Sequence, residues 1–266
     1  MTVSTRVVEL PNGLTISVTE QGAANSTGGG AVLLLHGGGG PSSVAGLASA
    51  LAEQAHVLTP AHPGFDGQPR PGGFDSVADL ASAYLDLLDI LDLREVLVIG
   101  SSVGGWIASE IALRDNHDRI AGLVLINGVG ILADRPGEIA DAAKVGLAEF
   151  FKLAWHNPAL GPDLSRQTDE QRAAFAANQR TLMVYAGDPY CHDPKLRGRL
   201  HRVTVPVLVV WGEHDGVAPL EYGRAYADSF PNARFEPISE AGHLPHIEQP
   251  EHTLDAIGKF VNTGLA

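Results

Sequence analysis

Apolar and polar positions alternate over residues 3–10 and again over 14–20, on either side of Pro11-Asn12-Gly13. That period of two around a turn sequence predicts a β-hairpin. The run Ala31-Val32-Leu33-Leu34-Leu35 is apolar throughout, as a strand buried on both faces would be. Residues 56–60 form a shorter candidate strand. Over 75–93 the apolar residues fall at 77, 80, 81, 84, 85, 87, 88 and 91, a helical stripe that Asp75 or Ser76 can cap. The alternation continues with strand 96–99, helix 103–114 and strand 120–126. It resumes with strand 205–211, helix 220–229, strand 233–237 and helix 250–261. Strands alternating with helices imply a mostly parallel sheet covered on both faces. In such sheets ligands bind beyond the carboxyl ends of the strands, so the loops there are where chemistry is expected.

Residues 133–203 interrupt this order. They show helical spacing at Ile139, Ala143, Leu147 and Phe150-Phe151, and again around 175–185, with no strand among them. At roughly 70 residues the stretch far exceeds the ~10–15 that a crossover helix needs. It reads as a helical insertion over the carboxyl edge of the sheet, between core segments 1–132 and 204–266. Its 10 basic and 9 acidic residues leave it at +1, whereas the remainder of the chain carries −14.

Composition narrows the function. With 18 basic against 31 acidic residues the formal charge is −13, which would repel nucleic-acid phosphates and an anionic membrane surface alike. No apolar run approaches the ~18–20 residues of a membrane span, and the start of the chain lacks the pattern of a signal peptide. A soluble, cytoplasmic protein is the expectation. Cys191 is the single cysteine, which excludes an internal disulfide and a cysteine-based zinc site.

Four strand-end loops carry the unusual residues. In Gly100-Ser101-Ser102-Val103-Gly104, glycines stand two positions either side of Ser102, the spacing a serine on a tight strand-to-helix turn requires. Alone, this pattern fits a Gly-rich turn equally well. His36-Gly37-Gly38-Gly39-Gly40 follows a buried strand, and its N–H groups can face an oxyanion. A phosphate cradle would want Lys-Ser/Thr next, but Pro41-Ser42-Ser43 follows. Gly212-Glu213-His214-Asp215 and Gly242-His243-Leu244-Pro245 complete the set, giving Ser, Asp and His in chain order on separate loops.

Over nearly its whole length the chain thereby resembles the α/β-hydrolase superfamily, in its lid-bearing serine-hydrolase branch. The resemblance implies a mostly parallel α/β sheet with the N-terminal antiparallel hairpin, helices on both faces and residues 133–203 as the lid. It makes Ser102 the nucleophile, His243 its base and Asp215 the carboxylate that orients His243. The Gly38 and Val103 main-chain N–H groups would form the oxyanion hole, with Gly39 a further donor or substrate contact. The physics asks for the same division, because a serine hydroxyl attacks well only when a base takes its proton. No metal or cofactor is implied.

Other candidates fare less well. Glu213 neighbours Asp215, but the loop pattern matches the acid at 215. Asn127 stands after strand 120–126, where some relatives carry the acid. His246 reads as a second base or, more simply, as a packing group. His36 braces the oxyanion loop, and His62-Pro63-Gly64-Phe65 resembles the family's loop beneath the lid. Trp106 and Trp211 read as packing residues, and Cys191 as an inert small one. Phe150, Phe151, Leu153 and Trp155 either line an acyl pocket or fill the core between lid and body. Arg172 is a candidate for holding a substrate carboxylate, although a solvated helix charge explains it as well.

The expected substrate is a small or medium carboxylic ester or related acyl compound, cleaved through an acyl-enzyme, with self-association left open. Ser102 in place of an aspartate argues against epoxide hydrolases and haloalkane dehalogenases. C–C hydrolases of ring-fission products are the runner-up; they usually have Asn before the serine and Trp after the histidine, where this chain has Ser101 and Leu244. Perhydrolases usually carry an aromatic residue at the position of Gly38. A lid-gated small-molecule receptor of the same fold is the alternative outside enzymology.

Overall fold

The hairpin forms as expected from β1 (Val3–Glu9) and β2 (Thr15–Gln21), paired antiparallel from Val3↔Gln21 to Glu9↔Thr15. At its turn Asn12 Oδ1 accepts the Leu14 N–H, and Gly13 takes a φ of 79°. A computed structural model describes residues 3–22, 30–132, 134–135, 139–163 and 165–264. Of the Gly-rich connection at 22–30, whose composition reads as flexible, residues 23–29 lie outside the described residues.

Then follow β3 (Ala31–Leu35), α1 (Ala45–Leu51), β4 (His56–Pro60), α2 (Val77–Ile90), β5 (Val96–Ser101), α3 (Val103–Arg114) and β6 (Ile120–Ile126). Next come β7 (Gly130–Ile131), α4 (Ala142–Val145), α5 (Leu147–Ala154), α6 (Asp169–Ala186) and β8 (His192–Asp193). The chain closes with β9 (Val207–Gly212), α7 (Leu220–Ala227), β10 (Ala233–Ile238), α8 (Pro245–Glu248) and α9 (Pro250–Gly264). The main sheet has the order β1-β2-β4-β3-β5-β6-β9-β10, antiparallel through the hairpin and β2/β4 and parallel elsewhere.

Strand periodicity divides the core into two layers. Leu33, Leu35, Val98, Leu123 and Val209 pack on one side with Leu87, Ile107 and Tyr226 from α2, α3 and α7. Val32, Leu34, Ile99, Val124 and Val210 face the other way, against Leu47 of α1 and Ile257 and Phe260 of α9. Each such Leu, Ile or Phe contributes about 1.5–3 kcal/mol by leaving water. Ser76, rather than Asp75, caps α2 in a reciprocal capping box with Asp79.

Residues 133–203 differ from expectation in two respects. The stretch does contain a strand, because β8 pairs in parallel with β7 through Gly130↔His192 and Ile131↔Asp193. A two-residue strand has no apolar run to announce it. The spacing from Ile139 to Phe151 also resolves into two helices, α4 and α5, because the chain turns at Gly146 with φ 84°. The base of the segment is fastened to the body. Tyr222 Oη accepts the Gly130 and Ile131 N–H groups, and buried Glu110 pairs with Arg114 and Arg199, the latter also held by Asp193.

Above that base, α6 rests on the loops after β3 and β4. Gln179 Nε2 donates to the Gly38 carbonyl (3.1 Å), Thr181 Oγ1 to that of Gly64 (2.9 Å) and Tyr185 Oη to that of Pro63 (2.9 Å). Among the described residues, no helix is long and apolar enough to cross a membrane.

Candidate active site

β5 ends at Ser101 and α3 begins at Val103, so Ser102 occupies the turn between them with φ 55° and ψ −120°. A non-glycine residue there carries strain of about 1–3 kcal/mol, held in place by its surroundings. The Ser102 N–H donates to Ile126, and its carbonyl accepts from Gly105 and Val129. The flanking glycines are dictated by backbone crowding. A Cβ at 100 would stand 2.1 Å from the Gly104 oxygen, and one at 104 would stand 2.4 Å from the Leu35 oxygen.

The parallel register Leu35↔Gly100 sets the His36–Gly40 loop beside this turn, and a Cβ at 37 would meet the Ser102 Cβ at 2.9 Å. His36 braces that loop from inside. Its Nδ1 donates to the Gly37 carbonyl (2.7 Å) while its Nε2 accepts the His62 N–H (3.1 Å), an arrangement only the neutral ring can make. Burial accordingly holds the His36 pKa down to about 4, and it drives that of His62, stacked on His36, well below its ordinary value.

The loop after β9 brings Asp215, and the loop after β10 brings His243. His243 Nε2 lies 3.0 Å from Ser102 Oγ, and its Nδ1 lies 2.8 Å from Asp215 Oδ2. Asp215 Oδ1 accepts the Val217 and Ala218 N–H groups at 2.7 and 3.1 Å. Its Oδ2 also accepts Asn127 Nδ2 at 2.7 Å. A carboxylate saturated by donors requires the imidazole to donate from Nδ1, which leaves the Nε2 lone pair facing the serine hydroxyl. Three side chains from distant parts of the chain are thus joined in one hydrogen-bonded line.

Asn127, which the sequence showed only as standing where some relatives carry the acid, has a role that sequence reasoning missed. Its Nδ2 holds Asp215 and its Oδ1 accepts the Gly212 N–H (3.1 Å), so it locks the acid loop against β6. The available signal was a buried amide directly after an apolar strand. Glu213 and His214 are exposed, and His214 stacks on His156. His246 is buried, with Nε2 donating to the Ser43 carbonyl, and burial lowers its pKa to about 4. Burial likewise pushes the Cys191 thiol up to about 12. Trp106 and Trp211 sit in the core.

A cavity of about 440 Å³ opens at Ser102 and His243. Gly38, Gly39 and Val103 line it on one side; Phe150, Phe151, Trp155 and Leu182 are among its apolar wall. No acceptor among the described residues takes the Gly38 N–H. Phe150 and Phe151 also pack against the cluster of Ala154, Trp155 and Val217, so they serve as wall and as filling between segment and body, whereas Leu153 packs on that cluster without lining the cavity. Arg172 is elsewhere: exposed on α6, its guanidinium pairs with Asp169 (2.6 Å) and donates to the Gln167 carbonyl. Among the described residues, none lining the cavity is Lys, Arg, Asp or Glu. Among the described residues, no group of three or more His, Cys, Asp or Glu could hold a metal ion.

Comparison with known proteins agrees with this fold. A family model described as the alpha/beta hydrolase fold matches residues 30–250, and the chain belongs to that family. Pimeloyl-(acyl-carrier protein) methyl ester esterase of Aromatoleum aromaticum is 31% identical over 230 residues, covering 79% of this chain and 89% of its own. An esterase from Exiguobacterium antarcticum superposes with a TM-score of 0.76 at 19% identity, over 98% of this chain and 100% of its own. A meta-cleavage product hydrolase, CumD, gives 0.78 at 19% identity over 97% of each chain. At these identities the two solved structures speak to the fold.

Proposed function

We propose that the protein is a serine hydrolase that cleaves small to medium neutral carboxylic esters through an acyl-enzyme. The observation that carries this reading is the continuous hydrogen-bonded line from Ser102 Oγ through His243 to Asp215, the first two opening on a cavity with no Lys, Arg, Asp or Glu among its described lining. As Ser102 attacks the ester carbonyl, His243 takes its proton and then returns it to the departing alkoxide. A water activated by the same imidazole releases the acid. The Gly38 and Val103 N–H groups receive the oxyanion, and each such donor is worth about 3–4 kcal/mol at the transition state. Residues 133–203 act as a lid whose apolar wall selects the acyl group. The methyl ester esterase among the relatives supports ester cleavage. Among the described residues the wall offers no Lys or Arg to the carboxylate of a ring-fission dienoate, which weighs against C–C hydrolysis.

The test is a panel of p-nitrophenyl esters, a lactone and a ring-fission dienoate, assayed with wild type, Ser102→Ala and Asp215→Asn. Many turnovers are expected on esters, with rates lower by about 10⁴-fold or more in both variants. Circular dichroism should report an unchanged fold. Ester rates equal in wild type and Ser102→Ala would sink the assignment. Turnover of the dienoate alone would reverse the substrate class, and a single ligand bound without turnover would favour a receptor.

A further inference from the structure

We propose that Glu248 is a positioning residue that makes the placement of the His243 imidazole depend on the docking of residues 154–157. The proposal rests on the serine-hydrolase reading above and extends it to how the base is held. Glu248 ends α8, buried at 7% exposure, and both its oxygens accept backbone N–H groups. Oε2 takes the N–H of Gly242 at 2.6 Å, and Oε1 takes the N–H of Asn157 at 2.7 Å. One residue along, the His243 N–H donates to the Ala154 carbonyl at 2.8 Å. The peptide groups on either side of the Gly242 α-carbon are therefore fixed, one by Glu248 and one by residue 154. Glu248 closes the ring by reaching residue 157.

The contact is backbone against backbone. A Cβ at 242 would stand 2.5 Å from the Ala154 oxygen and 2.9 Å from the His156 nitrogen. The neighbouring Leu153 carbonyl accepts the Gly216 N–H, next to Asp215, at 2.9 Å. Segment 153–157 thus grips both the base loop and the acid loop. Trp155 lies between the two anchor points and also lines the cavity, so a ligand pressing on Trp155 acts on the structure that holds the base. Undocking residue 157 would leave one oxygen of a buried carboxylate without its donor, and that cost ties docking to the position of Gly242. A glutamine at 248 offers one acceptor and turns an NH2 group toward the other N–H, so it breaks one link in the ring while keeping size and shape.

The experiment uses the full chain as wild type, Glu248→Gln, Asn157→Pro (which removes the N–H) and the double variant. Turnover of p-nitrophenyl butyrate is expressed per active site titrated with a p-nitrophenyl phosphonate. In parallel, proton NMR follows the downfield His243 Nδ1–H resonance, and melting is recorded. Each single variant is expected to lose about tenfold to 100-fold in kcat, with KM changed less than about threefold and the Nδ1–H resonance broadened or shifted. The double variant should be no worse than the poorer single one, since both open the same ring. A folded Glu248→Gln protein with wild-type kcat per site and an unmoved resonance overturns the proposal, as do losses that multiply in the double variant. If Glu248→Gln does not fold, Asn157→Pro alone decides by the same two readouts. Absence of ester turnover in the wild type would count against the hydrolase reading instead, while the resonance would still judge the role of Glu248.

Discussion

The rim loops that carry Ser102, Asp215 and His243 hold their shape differently from α6, which rests above them. In the loops, main chain packs on main chain. Gly100, Gly104, Gly212 and Gly242 each stand where a Cβ would fall within 2.5 Å of a carbonyl oxygen. α6 is held by side chains reaching down, those of Gln179, Thr181 and Tyr185. It leaves Met183 and Val184 exposed. A side chain can be exchanged at modest cost, whereas a carbonyl at that distance cannot move without displacing the main chain it belongs to. Ser102, Asp215 and His243 therefore sit on the part that tolerates least change, and the stretch of cavity wall that α6 supplies through Phe175, Gln179 and Leu182 sits on the part that tolerates most.

That contrast can be broken most severely at the elbow. Gly104→Ala is expected to cost about 3 kcal/mol or more of stability, read by urea unfolding, because the Leu35 carbonyl has nowhere to go. A loss below about 1 kcal/mol would show that the loop yields after all.

Acid probes the same region next. His36 and His246 have native pKa values near 4, below the ordinary 6.5, and that of His62 is lowered as well. Between those values the unfolded chain binds protons that the native chain refuses. Stability is thus full above about 6.5 and falls as pH drops toward 4, by up to about 1.4 kcal/mol per pH unit for each histidine. His246→Gln, which can still donate to Ser43, should remove one proton from the slope of unfolding free energy against pH; an unaltered slope would refute the assignment.

The smallest effects belong to α6. Gln179→Ala should lower kcat about three- to tenfold by freeing the Gly38 peptide. Arg172→Ala should leave kcat and KM for neutral esters unchanged, and a raised KM would return Arg172 to the site.

The same division explains what could be read before folding. Steric demands of the main chain are local, so the Gly-x-Ser-x-Gly turn, the glycine loop after β3 and the order of Ser102, Asp215 and His243 were legible in the residues themselves. So were the strands of the main sheet, whose apolar runs or alternation need no partner to be recognised. Asn127 was not, because its use depends on β6 lying next to β9, a pairing made far apart in the chain. Helix α1, only seven residues long and rich in Ala, has too short a stripe to declare itself. The grip of Gln179 on Gly38 depends on how α6 is rotated, which its mixed composition leaves open, whereas the pairing of Arg172 with Asp169 is local to the helix.

The short pairing of β7 with β8 has a consequence for how such proteins can diversify. It brings the exit and the return of residues 132–191 side by side, at the spacing of neighbouring strands, about 4.8 Å. A foreign stretch whose ends meet at that distance can be transplanted without rerouting any crossover of the body. One condition travels with the graft: it must offer carbonyls where Leu153 and Ala154 now receive the amides of Gly216 and His243.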